Sequence, residues 1–320
     1  MRVGVLETMP GVGGGNTYLR AVARALADEH DVRVHPVGHR RLPHRPGIML
    51  MAPAVSRVHR ADCWILTAWP LTVARWLPRA ARRVGLFYHL TPDLDLRTRF
   101  DRYLARRMFQ GLALCDRVVV IADYWRDVLA ARGIQSRVIR FGLEIDEYGV
   151  TRAEVERFRR EHGLLGRPVI YLGNRRPHKG ALEAWNVLRG MDAHFVTSGP
   201  WALDLPVMNV NSSWRDYVLL LASSDVVLTM STFDEGWNIT AHEAMLLGVP
   251  VVGSGRGGMR ELLAGGGQIV CEDFGNLEVS VQRALRERAK IGVKGKAYAE
   301  QWTFGRFKEA WLGVLNELPT

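Results

Sequence analysis

The stretch from 232 to 253, Thr-Phe-Asp-Glu-Gly-Trp-Asn-Ile-Thr-Ala-His-Glu-Ala-Met-Leu-Leu-Gly-Val-Pro-Val-Val-Gly, restricts the fold more than any other part of the chain. The residues before it, Val226-Val-Leu-Thr-Met230, are apolar and β-branched, which predicts a buried strand. Gly236 turns the chain, Asn238 is a good N-cap, and a helix is expected over about 239–247. Gly248 closes that helix, and Val249-Pro-Val-Val252 enters the next strand. A helix N-terminus behind a glycine turn, at the end of a parallel strand, suits phosphate through its free N–H groups and its dipole. Glu235 and Glu243 would repel phosphate. They are expected to meet hydroxyl groups on either side of it, a ribose on one side and a transferred sugar on the other.

A second landmark is Tyr171-Leu-Gly-Asn-Arg-Arg-Pro-His-Lys-Gly180, where an apolar strand ends in glycine and a basic loop opens onto a helix. That pattern puts cations at the C-terminal edge of a strand, where doubly wound sheets bind ligands. Near the N-terminus, Gly11-x-Gly13-Gly14-Gly15 follows the strand pattern 2–6 and precedes a helix over about 16–29. It lacks the G-x-G-x-x-G spacing, and no clean acidic ribose ligand follows about 20 residues on, so dinucleotide binding is not expected.

The rest of the chain repeats the alternation. In the first half, strands are expected at 31–37, 63–67, 83–88, 117–121 and 137–141, with helices at 70–81, 97–110 and 123–132 and an exposed Pro/Arg/His-rich loop over 38–47. A linker is read at 143–152. The second half continues with helices at 151–162, 180–189 and 213–223, strands at 168–172, 193–197, 206–210, 225–230 and 268–271, and closing helices near 276–289, 293–301 and 303–317. Strands alternating with helices predict two α/β halves, each a parallel sheet covered on both faces.

Bulk properties narrow the function classes. No run of about 18 apolar residues marks a membrane span, and Met1-Arg2 leads directly into a strand pattern, so no signal peptide and a cytoplasmic location are expected. Cys63, Cys115 and Cys271 are too scattered for a disulfide framework or a zinc site. Residues 1–148 hold 23 Arg and no Lys against 14 acidic residues, so most of the net charge of +10 lies there. A nucleic-acid-binding protein is the alternative that this charge suggests, but no recognised nucleic-acid module accompanies it and no nucleic acid is expected. Residues 97–110 put Phe100, Leu104 and Met108 on one stripe beside Arg97, Arg99, Arg102, Arg106 and Arg107. Three readings stay open: peripheral contact with an anionic membrane, at its inner face, contact with an anionic acceptor, or a surface helix that buries the stripe in its own core.

Glu235-x7-Glu243 with Gly236 after the first Glu, together with Glu-Ala-Met-Leu-Leu-Gly-Val-Pro-Val-Val over 243–252, resembles the signature of family-4 retaining glycosyltransferases. Arg140-Phe-Gly-Leu-Glu-Ile-Asp146 is similar to the stretch that ends the first domain in that family. The resemblance implies the GT-B fold: two Rossmann-like domains facing across a cleft, 1–148 on the acceptor side with helix 303–320 crossing back, and 149–302 on the nucleotide-sugar side. It also implies transfer of a sugar from a nucleotide-sugar donor to an acceptor (glycan, lipid or small metabolite), without metal or cofactor. A GT-B-type sugar epimerase is the close rival. On this pattern Glu243 holds the ribose and Glu235 contacts the donor sugar. The N–H groups of Gly236, Trp237, Asn238 and Ile239 help to hold sugar and phosphate. Lys179, with Arg175 or Arg176, neutralises the leaving diphosphate, while Gly14 and Gly15 let the backbone approach donor and acceptor. His89, at a strand end, reaches toward the donor sugar. Asp93 and Asp95 read as a loop turn, and residues 209–213 as a contact to the base.

Overall fold

The computed structural model describes residues 1–7, 14–37, 44–78, 81–90, 96, 98–199, 203–211 and 213–319. The chain divides into two compact units, Met1–Gly142 with Phe304–Thr320, and Leu143–Thr303. Each holds a six-stranded, all-parallel sheet flanked by helices.

The first unit runs β1 (Arg2–Glu7), α1 (Gly14–Leu26), β2 (Asp31–Pro36), α2 (His44–Val58), β3 (Cys63–Thr67), α3 (Ala68–Leu71), β4 (Arg82–Phe87), α4 (Arg99–Leu112), β5 (Arg117–Val120), α5 (Asp123–Ala130) and β6 (Arg137–Val138). Its strand order is β2-β1-β3-β4-β5-β6. Interior strands such as β3 are buried along their whole length, as covering on both faces requires.

The second unit runs α6 (Arg152–Glu161), β7 (Val169–Asn174), α7 (Ala181–Leu188), β8 (His194–Ser198), β9 (Met208–Val210), α8 (Trp214–Ser223), β10 (Val226–Thr229), α9 (Ile239–Leu246), β11 (Val251–Gly253), α10 (Met259–Gly265), β12 (Ile269–Val270), α11 (Leu277–Arg286) and α12 (Arg288–Ala299). Its order is β12-β11-β10-β7-β8-β9. At the N-terminal end of this sheet the buried Asp225 carboxylate accepts from the Val169 N–H at 2.8 Å and from Arg159 at 3.0 Å, and it also pairs with Arg288. One side chain thereby ties α6, β7 and the start of α12 to the foot of β10.

The last helix, α13 (Phe304–Asn316), packs with α1 in the first unit. Tyr18 is the centre of that contact: its hydroxyl donates to the Ile139 carbonyl at 2.7 Å and accepts from Trp311 Nε1 at 3.3 Å. The Phe307 ring stands edge-on to Tyr18 at 5.2 Å.

Several sequence expectations change. The helix expected over 70–81 is only α3 followed by a 3-10 turn at Ala74–Trp76; Pro78 forces Leu77 into an extended conformation and ends it. Residues 44–47 belong to α2 and not to a loop, because Pro46 falls in the first turn, where its missing N–H costs nothing; residues 38–43 lie outside the described ones. Helix α10 has no counterpart in the sequence reading, its seven residues being hidden between glycine clusters. Residues 143–148 belong to the second unit and contain a 3-10 turn, Ile145–Tyr148. Gly14 and Gly15 form the first turn of α1, while Gly11 and Gly13 lie outside the described residues. On α4 the expected stripe splits: Leu104 and Met108 are in the core, whereas Phe100 is 61% exposed.

Candidate functional site

In the second sheet the chain leaves β7 toward β8 and β9, then returns to form β10 on the other side of β7. The β7/β10 pair is therefore the topological switch point, where loops splay apart and ligands bind at the C-terminal strand ends in this architecture. The two loops that rise there are the two sequence landmarks.

Gly180 joins them. It adopts φ 76°, and a Cβ there would lie 2.1 Å from the Met230 carbonyl oxygen, so only glycine lets the β7 loop lie against the end of β10. The Thr232 N–H also donates to the His178 carbonyl at 2.9 Å. His178 itself is a non-glycine residue at φ 67°, a conformation that loops at functional sites often hold.

With the loops tied, Lys179 Nζ reaches Glu235 Oε1 at 2.5 Å and sits 4.9 Å from the centre of the Phe233 ring. The same carboxylate oxygen accepts from Ser231 Oγ at 2.5 Å and Asn238 Nδ2 at 3.2 Å. Glu235 is only 5% exposed, so the lysine and these donors replace the water its charge has lost. Its backbone is held as well: the Glu235 N–H donates to the Arg256 carbonyl, and its carbonyl accepts from the Gly258 N–H at 3.0 Å. Gly257, at φ 61°, must be glycine because a Cβ would stand 2.5 Å from the Glu235 carbonyl oxygen.

Asn238 caps α9 as expected, its side chain accepting from the Ala241 N–H at 2.9 Å, and Gly248 follows the helix at φ 72°. One helical turn in, Glu243 is buried; Tyr148 donates to its Oε1 at 3.0 Å and Tyr217 to its Oε2 at 2.7 Å. Burial pushes the Glu243 carboxyl up to about 7, against the opposing pull of the two tyrosine hydroxyls. Below it, His242 is fully buried and its pKa falls to about 4, so the ring is neutral. Because Trp237 Nε1 donates to His242 Nδ1, the ring proton sits on Nε2 and is donated to the Ala299 carbonyl.

The structure thus brings together Lys179, Glu235, Gly236 and Asn238, with Glu243 behind them on α9. The other candidates have partners of their own. Arg175 donates to Thr197 Oγ1 at 2.8 Å and to the carbonyls of Leu203, Leu205 and Val207, so its guanidinium braces the stretch between β8 and β9. The Arg176 N–H is held by Asn174 Oδ1 at 3.2 Å. The Trp237 side chain is buried against Trp302, leaving only its backbone to face a ligand. Asn209 bonds Thr197 and the Gly199 carbonyl, and Ser213 caps α8 in a box with Asp216; Ser212 lies outside the described residues. In the first unit, His89 Nδ1 meets the Leu90 carbonyl at 2.9 Å at the end of β4, while Asp93, Asp95 and Arg97 fall outside the described residues. Among the described residues, no group of three or more His, Cys, Asp and Glu is placed to hold a metal ion.

Four contributors escaped the sequence reading. Ser231 and the loop 254–258 flank Glu235, and the glycines at 255, 257 and 258 after a strand were a usable signal for that loop. Tyr148 and Tyr217 lie 95 and 26 positions from Glu243, and no local pattern links them to it.

Comparison with known proteins places this geometry in context. Residues 167–287 match the model of the family described as glycosyl transferases group 1. No curated protein matches the chain in sequence. Among solved structures, HepE from Anabaena in complex with UDP and glucose is similar with a TM-score of 0.82 at 18% identity, covering 99% of this chain and 100% of that one. Sucrose-phosphate synthase from Thermosynechococcus elongatus is similar with a TM-score of 0.80 at 16% identity, over 99% and 98% of the two chains. WaaG, a glycosyltransferase involved in lipopolysaccharide biosynthesis, is similar with a TM-score of 0.78 at 13% identity, over 99% and 100%. The fold is that of the GT-B glycosyltransferases, two Rossmann-like domains in one chain.

Proposed function

We propose that this chain is a retaining, metal-independent glycosyltransferase of family 4, with a nucleotide-sugar donor in the second unit and an acceptor on the first. The observation that carries the reading is the Lys179–Glu235 pair spanning the β7/β10 switch point beside the N-terminus of α9. The match of residues 167–287 to a glycosyltransferase family supports it, and so does the UDP bound by HepE.

In this mechanism Lys179 leaves Glu235 for the donor diphosphate, and Arg176 joins it; the bracing role of Arg175 favours that choice. The backbone N–H groups from Gly236 to Ile239 face the sugar and phosphate. Negative charge grows on the diphosphate as the glycosidic bond breaks, so fixed cations there stabilise the transition state more than the ground state. Glu235, released from Lys179, accepts a hydroxyl of the donor sugar. Glu243 accepts the ribose hydroxyls; each carboxylate oxygen keeps a second lone pair beside the one its tyrosine uses. The acceptor attacks from the face that the leaving group vacates, so no covalent enzyme nucleophile is needed. The Arg-rich first unit makes peripheral contact with an anionic membrane. Among the described residues no helix is long and apolar enough to cross one.

The test is a thermal-stability screen of nucleotide sugars, UDP-glucose first, followed by NMR of the anomeric product. A donor at a hundredfold excess over its Kd stabilises the folded state by about 2.7 kcal/mol. Stabilisation by a nucleotide sugar and a product that keeps the donor's anomeric configuration are expected. An inverted product would remove the retaining assignment, and stabilisation by none of them would remove the donor site.

A further inference from the structure

Glu235 and Glu243 are both buried carboxylates, and they are held in different ways. Glu235 has Lys179. Among the described residues no lysine or arginine pairs with Glu243, whose charge is met by two phenol hydroxyls, one on each oxygen. The opening turn of α8 builds that arrangement. Tyr217 stands on it, and the single proton of its hydroxyl goes to Glu243 Oε2. The Thr240 hydroxyl, 3.2 Å away, therefore donates to the Tyr217 oxygen and strengthens the bond beyond it. Tyr148 comes from the 3-10 turn Ile145–Tyr148 and is fastened to the same turn of α8. Its ring stands edge-on to Trp214 at 5.5 Å, and Arg215 donates to the Gly149 carbonyl at 2.7 Å while pairing with Glu154. Trp214 lies 5.5 Å from the Tyr217 ring as well. Burial first, and the Glu243 charge second, raise both phenols far above their usual range, so each stays a donor at any working pH.

A flexible glutamate keeps one orientation only when both of its oxygens are held. Two donors, one per oxygen, fix the plane of the carboxylate and leave a lone pair on each oxygen. The vicinal hydroxyls of a ribose need such a pair side by side. We infer that Tyr148 and Tyr217 are positioning residues for the donor, holding the Glu243 carboxylate in the orientation that receives the ribose hydroxyls. The inference rests on the donor site proposed above. Other titratable groups nearby do not share the task. Tyr171, from β7, bonds Ser198 at 2.7 Å instead, and His242, next to Glu243 on α9, is neutral. Among the described residues no titratable side chain of β10, β11, α10 or α12 bears on the carboxylate. Burial raises the Glu243 carboxyl to about 7 against the pull of Tyr217 and Tyr148, so loss of either hydroxyl raises it further.

The experiment uses the whole chain, with Tyr148→Phe and Tyr217→Phe, each alone and combined with Glu243→Gln. Tyr171→Phe is the control, since it removes a buried phenol hydroxyl that does not bond Glu243. Two quantities are followed over a pH range that brackets 7: the titration of Glu243 by carboxyl NMR without ligand, and the affinity for UDP-glucose, ADP-glucose and GDP-mannose by calorimetry. In either tyrosine variant the titration should move up by about one pH unit, the scale of a hydrogen bond to a charged group. Affinity at pH 7 should then fall by about fivefold, because fewer molecules carry the ionised carboxylate. With Glu243→Gln in place, the same substitutions should change affinity by less than about twofold. Tyr171→Phe should leave the titration where it is. A tyrosine variant that leaves the titration unmoved overturns the inference, as does one that weakens binding equally with and without Glu243→Gln, which is the mark of a packing residue. If the titration moves but affinity does not, the tyrosines hold Glu243 without serving the donor, and their positioning role is wrong. If the wild type binds none of the three nucleotide sugars, the donor site itself is wrong, and the NMR titration alone then reports whether the tyrosines hold the carboxylate.

Discussion

The two units share one architecture and differ in where their charge lies. The first, with its C-terminal helix, holds 25 basic residues against 13 acidic, a net +12; the second holds 18 against 20, a net −2. Yet the negatively charged donor is assigned to the second. On that assignment, overall field is not what selects the ligand there. The second unit relies on a few groups fixed at the switch point, with Lys179 held by Glu235 and both loops pinned by glycine. The first spreads arginines over a surface. Groups on pinned loops suit a transition state, because once Lys179 has turned from Glu235 to the diphosphate nothing more has to reorganise as charge develops; spread charge suits attraction to an extended anionic surface.

The largest expected effect separates the two kinds of cation. Lys179→Ala should lower kcat by about a hundredfold, since it removes a group whose interaction strengthens as the bond breaks. Arg106→Ala, on the exposed face of α4, should leave turnover of a soluble acceptor unchanged. Equal losses in the two variants would erase the contrast. Lys179→Ala should also cost about 1–3 kcal/mol of stability, because Glu235 remains buried with its principal cation gone.

Next comes Glu243→Gln, which should weaken donor binding by about tenfold with a smaller change in kcat, a charge-assisted hydrogen bond being exchanged for a neutral one. A normal KM with a collapsed kcat would move Glu243 into the chemical step.

The same residue makes the second unit sensitive to pH. Its carboxyl is raised from 4.5 to about 7, so the folded state holds a proton that the unfolded state has already lost across that window. Stability then falls as pH rises from 4.5 through 7, by on the order of 3 kcal/mol, and Glu243→Gln should flatten the curve. Donor affinity should run the other way. Ribose hydroxyls donate to the ionised form, so binding tightens as pH approaches about 7 and levels off above it. Parallel pH profiles for wild type and Glu243→Gln, followed by calorimetry, would remove this linkage.

The smallest expected effect is none. With Lys179 and the α9 N-terminus assigned to the diphosphate, an excess of EDTA should leave turnover within about twofold of its starting value. Loss of activity restored by magnesium or manganese would end the metal-free mechanism.

How much of this could be read from sequence depends on distance along the chain. Asn238 as cap, Gly248 as terminator and the β7 and β10 strands were legible because each depends on neighbours within a few positions. The pairing of Lys179 with Glu235 was legible as two separate motifs, though their direct contact was not. Arg175 was misleading: its position in a basic loop suggested phosphate, and only the fold brings the carbonyls of Leu203, Leu205 and Val207 around it. Helix α2 was hidden because Pro53 interrupts its pattern and its core-facing positions include Ala52 and Ser56, which carry little hydrophobic signal. Tyr148 and Tyr217 were invisible for a different reason: a tyrosine that serves a distant carboxylate looks, locally, like any other aromatic residue.

Asp225 has a consequence for anyone who would re-engineer the molecule. It clamps α6, β7 and α12 at one end of the second sheet, while the loops we assign to the donor stand at the other. Anchorage and reactivity are thus wired to opposite poles of the same strands. Loops after β7, β10 and β11 can be exchanged for others of equal length without disturbing that anchor. Donor preference can then be rewritten as a cassette, provided that Gly180 and Gly257 travel with the transplant as its hinges.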